Sequence, residues 1–591
     1  MPQEILQKYL DAGYQEPTAK ILYHREIDPE TAILLKKEPE KLFLNPSYLP
    51  AGEMAAEEIN FFLNKKEDRE IHIFADYDVD GLTSGYILAN YLERLDKCPI
   101  YPYFPERAES YGLSLDYCER LIRRKEETEK DVLLITVDNG VTQLTEVAYL
   151  KEHGIQTIVT DHHEPKNILP EAIVVDPHIE PKNPLHHLAG CGVVYKLCQL
   201  LNDCQETPLD LKPYWFAVAI GTVADMMPMT IENIAFTLAG LKELKKNNQH
   251  AGFKQFLSKM KLEKGITPID ISFEIAPRLN ACGRMGDIEK AWLLFFVEKG
   301  DDINAINELI DEIEDLNQRR KTVTQRFKNE LLSFSPPYEN HIMYDISGYP
   351  DGIAAIAAGT MANQFNVPSI AYSSRGDGYS RGSARSVYDI NLLSILEEAY
   401  NRGLVQHYGG HKAAAGISFP DEKLEELNIF LDEMFKKEFE NLQQVELEHP
   451  GTLLVDDILY FNSVKKTVYE NIHQFPFDRS VNFPEPLLAF GPLRVMDTKT
   501  SKNNPENIKF TVEDPEEKKK EIWAWGFGTY YEKLGNPEHI YLVGSLAKDF
   551  MSPKNYTIRV QTIVPTEIEI KSPEKKKKKL IKKKKKHLLK I

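Results

Sequence analysis

Three apolar runs of strand length each end in a cluster of carboxylates or imidazoles. REIHIF (69–74) alternates like a strand and leads into ADYDVDG, with Asp76, Asp78 and Asp80 closing on Gly81. DVLLITVDNG (131–140) has five apolar residues among its first seven and ends in Asp138, Asn139 and Gly140. IQTIVTDHHEP (155–165) ends in Asp161, His162 and His163, and AIVVDPH (172–178) adds a further strand that stops at Asp176. Segments with helical spacing separate them, LTSGYILANYLERL after the first and LTEVAYLKEHG before the third. A βαβα series of this kind requires a parallel sheet with crossover helices, which sets the carboxyl ends of all the strands along one edge. The expected fold class is therefore α/β.

Like charges so closely gathered are costly without a cation among them. The DYDVDG stretch matches the opening of an EF-hand calcium loop, but loop position twelve is Ile87 where a bidentate Glu is required, and the preceding segment is a strand rather than a helix. Three clusters in phase, all carboxylate or imidazole, point instead to a binuclear metal site. WFAVAIGTVADMMPM (215–229), helix or strand, contributes Asp225 from an otherwise uncharged run, where an acid needs a partner. Oxygen ligands with one or two imidazoles and no thiolate suit Mn2+ or Mg2+. Two such ions activate water and stabilise the attacking and leaving oxygens of phosphoryl hydrolysis, and a carboxylate such as Asp138 can bridge them.

In that order, DYDVDG, VDNG, TDHHEP and GTVADMMP resemble the DHH phosphoesterase superfamily. Further segments are similar to its RecJ family of single-strand-specific exonucleases: YFPERAESYGL (103–113), LAGCGVVYKL (188–197), FEIAPRLNACGRMGD (273–287), RGSARS (381–386) and YGGHKAAAGISF (408–419). The likeness runs over about residues 1 to 565. It implies that Asp78, Asp80, Asp138, His162 and Asp225 hold two divalent ions, Mn2+ or Mg2+, with Asp76 supporting them from the same loop. It implies that Asp161 orients an imidazole and that His163 is either a ligand or the group that polarises the scissile phosphate. Arg107, Ser383 and Arg385 would hold the terminal phosphate of the strand, and Arg278, Asn280 and Arg284 would line the DNA path. His411, after Gly409 and Gly410, would touch the phosphate next to the cut. Arginine suits a phosphate because it donates two parallel hydrogen bonds, and paired glycines let backbone amides approach an anion. The implied activity is removal of nucleoside 5′-monophosphates from single-stranded DNA in the 5′-to-3′ direction, the polarity coming from the resemblance alone. The rival readings are a phosphodiesterase for short oligonucleotides or cyclic dinucleotides, and a non-catalytic scaffold that binds single strands. Three departures from the family pattern stand out: Pro350, Asp351 and Gly352 where His-x-Gly is common, PFDRSVNFPEP (476–486) where a glycine-rich turn is common, and Asp176 where Asn is usual.

A chain of 591 residues exceeds a single core. Residues 1–55 read as a helical lead segment, 56–230 as the metal-bearing α/β domain and 231–334 as a helical connector with a long mixed-charge spacer helix over 301–332. Residues 335–450 read as a second, substrate-binding α/β domain. Residues 451–570, rich in short strands, suggest a β-barrel of OB type in which Trp523, Trp525, Phe527 and Tyr530 are candidates to stack on bases, with about half of them expected in the core. The tail, 571–591, holds 12 Lys and one Glu, against a remainder with 60 basic and 89 acidic residues, a net of −29. It suits either non-specific contact with phosphate backbones or a solubilising end. No run of eighteen apolar residues and no secretory leader are present, and the six cysteines show no framework, so a monomer with free thiols in the cytoplasm is expected. Single-stranded DNA is the expected partner, with a single-strand-binding protein or a helicase as the class of protein partner and no membrane.

Overall fold

The computed structural model describes residues 1–105, 112–246, 251–262, 266–297, 300–374, 376–387, 390–446, 453–477, 483–501, 506–548, 555–566 and 570–571. The chain divides into two compact units, one of Phe43–Met227 and Ile231–Glu446, the other of Met1–Leu42, Pro228–Thr230 and Leu447–Ile591.

The larger unit opens with a five-stranded sheet, β1 (Arg69–Ala75), β2 (Ile100–Tyr103), β3 (Asp131–Val137), β4 (Gln156–Thr160) and β5 (Ile173–Val175). All its pairings are parallel and the order is β2-β1-β3-β4-β5. β1 and β3 are buried at every position but the first, as strands covered by helices on both faces must be. Helices Val79–Leu95, Leu115–Thr128 and Leu144–Glu152 supply the crossovers. The chain leaves β1 in one direction for β2 and returns on the other side to build β3, so the carboxyl ends of β1 and β3 flank the topological switch point, where open α/β sheets place their sites. The 215–229 segment resolves as a helix, Trp215–Ala224, with Asp225 as its C-cap.

A 29-residue helix, Ile303–Leu331, about 44 Å long, then carries the chain to a second sheet. Ile306, Ile310, Ile313 and Leu316 form its buried stripe at spacings of three and four, and Phe327 and Leu331 enter the core of the second lobe with Ile342 and Ile346. That lobe pairs β6 (Ile342–Asp345), β7 (Ser369–Ser374), β8 (Tyr379–Arg385), β9 (His407–His411) and β10 (Ala414–Pro420) in the order β6-β7-β8-β10-β9, antiparallel except between β6 and β7.

In the smaller unit, β11 (Leu453–Leu454) pairs with β18 (Ile570–Lys571), and β12 (Asp457–Leu459) runs parallel to β13 (Leu488–Thr500). From β13 an antiparallel sheet extends through β14 (Ile508–Glu513) and β15 (Lys519–Ala524) on one side and β16 (His539–Lys548) and β17 (Tyr556–Pro565) on the other. Among the described residues no ladder joins β15 to β17, so an open antiparallel sheet is what stands in place of a closed barrel. Helices Gln3–Asp11, Glu16–His24 and Pro29–Lys37 belong to this unit: Ile21 enters its core beside Phe461 and Val468, Lys20 pairs with Asp457 at 3.0 Å, and Arg25 pairs with Asp456 at 2.8 Å. None of Trp523, Trp525, Phe527 and Tyr530 is buried, contrary to the expectation that half would be. The core side of β15 is taken by Ile522 and Ala524, and the two Trp rings stack on the opposite face at 5.2 Å and 18°. Phe527 packs partly against the core. The lysine-rich tail from 572 onward lies outside the described residues.

Candidate metal centre

Asp78 caps helix Val79–Leu95, its Oδ1 accepting from the amides of Asp80 (2.9 Å) and Gly81 (3.1 Å). Gly81 is obligatory in this turn, because a Cβ there would stand 2.3 Å from the Asp76 carbonyl oxygen. Asp80, one helical residue further on, is buried, and its carboxylate accepts from the amides of Gly190 (2.6 Å) and Cys191 (2.9 Å), which open helix Gly190–Asp203. That helix N-terminus favours the negative charge. Burial, and next the charge of Asp78, nevertheless push the Asp80 carboxyl up to about 6. Asp138 follows β3 with φ +62, a left-handed conformation that Asp tolerates better than most residues. Its carboxyl is raised well above the usual range by burial and then by the charges of Asp80, Asp78, Asp76 and Asp225. Asp225 is raised likewise, by burial and then by Asp80 and Asp78.

His162 binds these acids together. Its Nε2 lies 3.1 Å from Asp138 Oδ1, 3.6 Å from Asp80 Oδ2 and 3.7 Å from Asp225 Oδ2. Burial, followed by the neighbouring His163, drives its pKa well below the ordinary value, so the ring is neutral and can offer a lone pair. Asp138 Oδ1, Asp225 Oδ2 and His162 Nδ1 are buried without a hydrogen-bond partner. Buried oxygens crowded at ion-pair distance yet unbonded are what a cation ligand set looks like before the cation is added. Candidate donor atoms within 4.8 Å of one another fall into three groups here: Asp80, His162 and Asp225; Asp138, His162 and His163; and Asp76, Asp78 and Asp138. Asp138 belongs to two of them, the position a bridging carboxylate needs. Asp76, expected only as a support, stands among the donors itself, while its Oδ1 also accepts from the Tyr77 amide. The donor set is oxygen and imidazole without thiolate, and it fits two Mn2+ or Mg2+ ions.

Asp161 works from behind. Its Oδ1 accepts from the amides of His162 (2.8 Å) and His163 (3.2 Å) and takes His163 Nδ1 at 2.7 Å, and its Oδ2 accepts from Val141 N (2.9 Å). Burial alone would raise this carboxyl, but His163 outweighs it and holds it down at about 2. In return Asp161 overcomes the desolvation of His163 and lifts its pKa to about 10. Asp161 thus favours the imidazolium form of His163, which donates to an anion, while its place among the donor atoms beside Asp138 and His162 keeps ligation open to it. The ring of His411, at the end of β9 in the second lobe, stacks on His163 at 5.5 Å and 18°. Gly410 next to it has φ +131, and a Cβ there would stand 2.5 Å from the Ala414 carbonyl oxygen. At Gly409 a Cβ would meet nothing within 4 Å, which leaves open space beside His411.

The remaining anticipated residues divide. Ser383 and Arg385 lie half-buried on β8, which pairs with β10 next to the glycine strand. Arg278 is engaged by Glu274 at 2.7 Å and Glu314 at 2.5 Å, so it locks the connector to the long helix. Arg284 donates to the Gly352 carbonyl oxygen at 2.9 Å, and a Cβ on Gly352 would stand 2.0 Å from the Arg284 carbonyl oxygen. This close approach explains the glycine kept in the altered Pro350, Asp351, Gly352 turn, where Asp351 accepts from Ser373 Oγ at 2.7 Å. Asn280 lies half-buried on the same helix as Arg284. Arg107 falls outside the described residues. The amides of Gly190 and Cys191, and Gly221, whose Cβ would stand 2.7 Å from Asp80 Oδ1, fix the Asp80 carboxylate at positions that residue chemistry did not flag. Their signal is the run of small residues in LAGCG and AIGT.

Family models match residues 70–222 as the DHH family N-terminal domain and 339–437 as the DHHA1 domain. The single-stranded-DNA-specific exonuclease RecJ of Bacillus subtilis is 31% identical over 73% of the chain, which spans about half, 54%, of that relative's length. The enzyme of that name from Haemophilus influenzae is 29% identical over 80% of the chain and 83% of its own. The crystal structure of RecJ with Mn2+ from Thermus thermophilus superposes with a TM-score of 0.74, covering 97% of this chain and 78% of that one at 23% identity. A manganese-bound exonuclease RecJ, 27% identical, superposes with a TM-score of 0.54 over 66% of this chain and 95% of its own. With a DHH family N-terminal domain on the parallel sheet and a DHHA1 domain on the second lobe, the chain is similar along most of its length to RecJ exonucleases.

Proposed function

We propose that this chain is a metal-dependent exonuclease of single-stranded DNA that releases nucleoside 5′-monophosphates in the 5′-to-3′ direction, in DNA repair and recombination. The observation that carries the reading is the mutually repelling set of buried Asp80 and Asp138 and partly exposed Asp225 around the neutral ring of His162. Asp78, Asp80, Asp138, His162 and Asp225 hold two ions, Mn2+ or Mg2+, and Asp76 adds a further oxygen. When bound, the ions supply Lewis acidity and a water of lowered pKa. His163, kept protonated by Asp161, donates to a non-bridging oxygen of the scissile phosphate. His411 aligns the neighbouring phosphate from the second lobe, and the opening at Gly409 admits the sugar-phosphate chain. Ser383 and Arg385, with Arg107, take the terminal phosphate. Asn280 and Arg284 lie along the strand's path. Arg278 contributes mainly by bracing, since Glu274 and Glu314 already engage its guanidinium.

The domain limits follow the sequence: 1–55, 56–230, 231–334, 335–450, 451–570 and the tail 571–591. The C-terminal sheet is of OB type, and Trp523 and Trp525 on its outer face stack on bases. A cytoplasmic monomer working with a single-strand-binding protein or a helicase completes the reading. Among the described residues no helix is long and apolar enough to cross a membrane.

The test is a single-stranded oligonucleotide labelled at either end, incubated with purified protein and Mn2+ beside the same sequence as blunt duplex. Immediate release of labelled mononucleotide from the 5′ end, with the duplex intact, is expected. Binding that EDTA leaves unchanged, without cleavage, would favour a scaffold and overturn the proposal.

A further inference from the structure

Beyond the strand-end cluster, a second set of donors gathers where β5 ends. Asp176 caps the short turn Pro177–Ile179, accepting from the His178 amide at 2.8 Å. Asn183 holds the following loop, donating to the Tyr48 carbonyl oxygen at 2.7 Å and accepting from the Leu185 amide at 2.8 Å. The loop so fixed brings the rings of His178 and His186 to a centroid distance of 4.0 Å, tilted by 44°. Glu164, just past the imidazole pair at the end of β4, reaches the same point. One donor atom from each of Glu164, His178 and His186 lies within 4.8 Å of the others.

These are not idle surface histidines. The His178 side chain is 8% exposed, and the Nδ1 atoms of both rings are buried without a hydrogen-bond partner. Two imidazoles tilted against each other at 4.0 Å with unbonded Nδ1 atoms are unfavourable when neutral, through lost hydrogen bonds, and more so when both are charged. Asp176, fully buried, sets its Oδ1 3.3 Å from His178 Nδ1 and leaves Oδ2 unpartnered. An asparagine would cap the turn equally well. A buried carboxylate behind an imidazole is instead the arrangement that orients a metal-ligating histidine.

We propose that Glu164, His178 and His186 form a second metal site, distinct from the aspartate centre, that takes an imidazole-preferring divalent ion of the Zn2+ class, with Asp176 positioning His178. Two imidazoles and a carboxylate without thiolate give a tetrahedral ion three protein ligands and one open position, for water or a phosphate oxygen. Mg2+ is disfavoured, since it prefers six oxygens in octahedral geometry. None of the donors of the strand-end cluster is shared with this set.

The experiment titrates full-length protein with Zn2+ against a chromophoric chelator, in excess Mg2+ to occupy the aspartate centre. Wild type is expected to retain about one tightly held equivalent that His178→Gln/His186→Gln loses. Asp176→Asn, which keeps the cap and so the fold, is expected to weaken that equivalent by about 10- to 100-fold. Anomalous scattering at the zinc edge should give a peak among Glu164, His178 and His186. Equal Zn2+ uptake by wild type and the double variant, undiminished affinity in Asp176→Asn, or an anomalous peak confined to the aspartate cluster would each overturn the proposal.

Discussion

Asp138→Asn should stabilise the protein without metal and destabilise it relative to wild type with metal. The side chain is 2% exposed, and its donor atom lies within 4.8 Å of those of Asp76 and Asp78. Two unit charges at that separation repel by about 3.5 kcal/mol at an effective dielectric constant near 20. Wild type escapes part of this by taking up a proton, as the raised Asp138 pKa records, so the relief from removing the charge is about 1–3 kcal/mol. Asparagine is the right replacement because position 138 has φ +62, and Asn enters the left-handed region at least as readily as Asp. The backbone therefore adds no opposing cost.

With Mn2+ the order inverts. An ion at 100 times its dissociation constant stabilises the native state by about 2.7 kcal/mol, and the variant forgoes most of that together with the bridging oxygen. Amide hydrogen exchange of β3, measured at pH 8 in EDTA and again in Mn2+, reads both effects at the site itself. Slower exchange of the variant in EDTA, faster exchange in Mn2+ and loss of DNA hydrolysis are expected. A variant less protected than wild type in EDTA would refute the charge argument, and one that still hydrolyses DNA would refute the bridging role.

Mn2+ affinity should rise with pH across the region near 6, because Asp80, at about 6, and the raised Asp138 and Asp225 must release protons before they ligate; calorimetry in buffers of different ionisation enthalpy counts the protons, and a flat profile would contradict the raised carboxyls. Gly190→Ala should weaken Mn2+ binding, since the new Cβ would stand 2.8 Å from Asp138 Oδ1; unchanged affinity by calorimetry would show that the helix end can yield. Glu70→Gln should cost about 2–3 kcal/mol in urea unfolding, less than the ~3–5 of a fully buried broken pair because Arg124 is 37% exposed. Hydrogen bonds from Arg124 and His72 outweigh burial and hold the Glu70 carboxyl below 4.5, so its contribution is present above pH 4.5 and lost as pH falls through the folded value, and the difference between variant and wild type should shrink in acid. Deleting 571–591 should flatten the dependence of log Kd for single strands on log salt; an unchanged slope would make the tail a solubilising end.

Much of the candidate metal centre was legible because it is local. A strand ends, the chain turns, and the residue at the turn points to the carboxyl edge; Asp78, Asp138, Asp161 and His162 each follow from a strand pattern and the polar residues after it. Asp225 was legible as a charge out of place in an apolar run, although only the structure decided that the run is a helix. What stayed hidden depends on contacts remote in sequence. Lys20 meets Asp457 across 437 positions, and nothing in either segment announces that the first helices complete the unit built by the C-terminal sheet. The resemblance sets Arg278 along the DNA path, and only the placement of Glu314 on the long helix shows the guanidinium already engaged. On β15 the alternation was legible but not its phase: Ile522 and Ala524 face in, and all the large aromatic surface of Trp523 and Trp525 is turned away from the core.

The division of labour between the two histidines of the DHH triplet shows why sequence alone left His163 undecided between ligand and phosphate partner. Adjacent residues of the same type have the same intrinsic chemistry, and what separates them is which acids each one faces. The Nε2 of His162 faces Asp138, Asp80 and Asp225, acids that burial and mutual repulsion leave reluctant to ionise, and its ring stays neutral. His163 faces Asp161, whose charge three backbone amides stabilise, from His162, His163 and Val141. Asp161 overcomes the burial of His163 and raises it, whereas burial and the neighbouring His163 keep the His162 ring neutral and free to ligate. On the proposed function the same local turn provides a metal ligand and an anion donor side by side, which is what hydrolysis of a phosphodiester at a metal centre demands of its two sides.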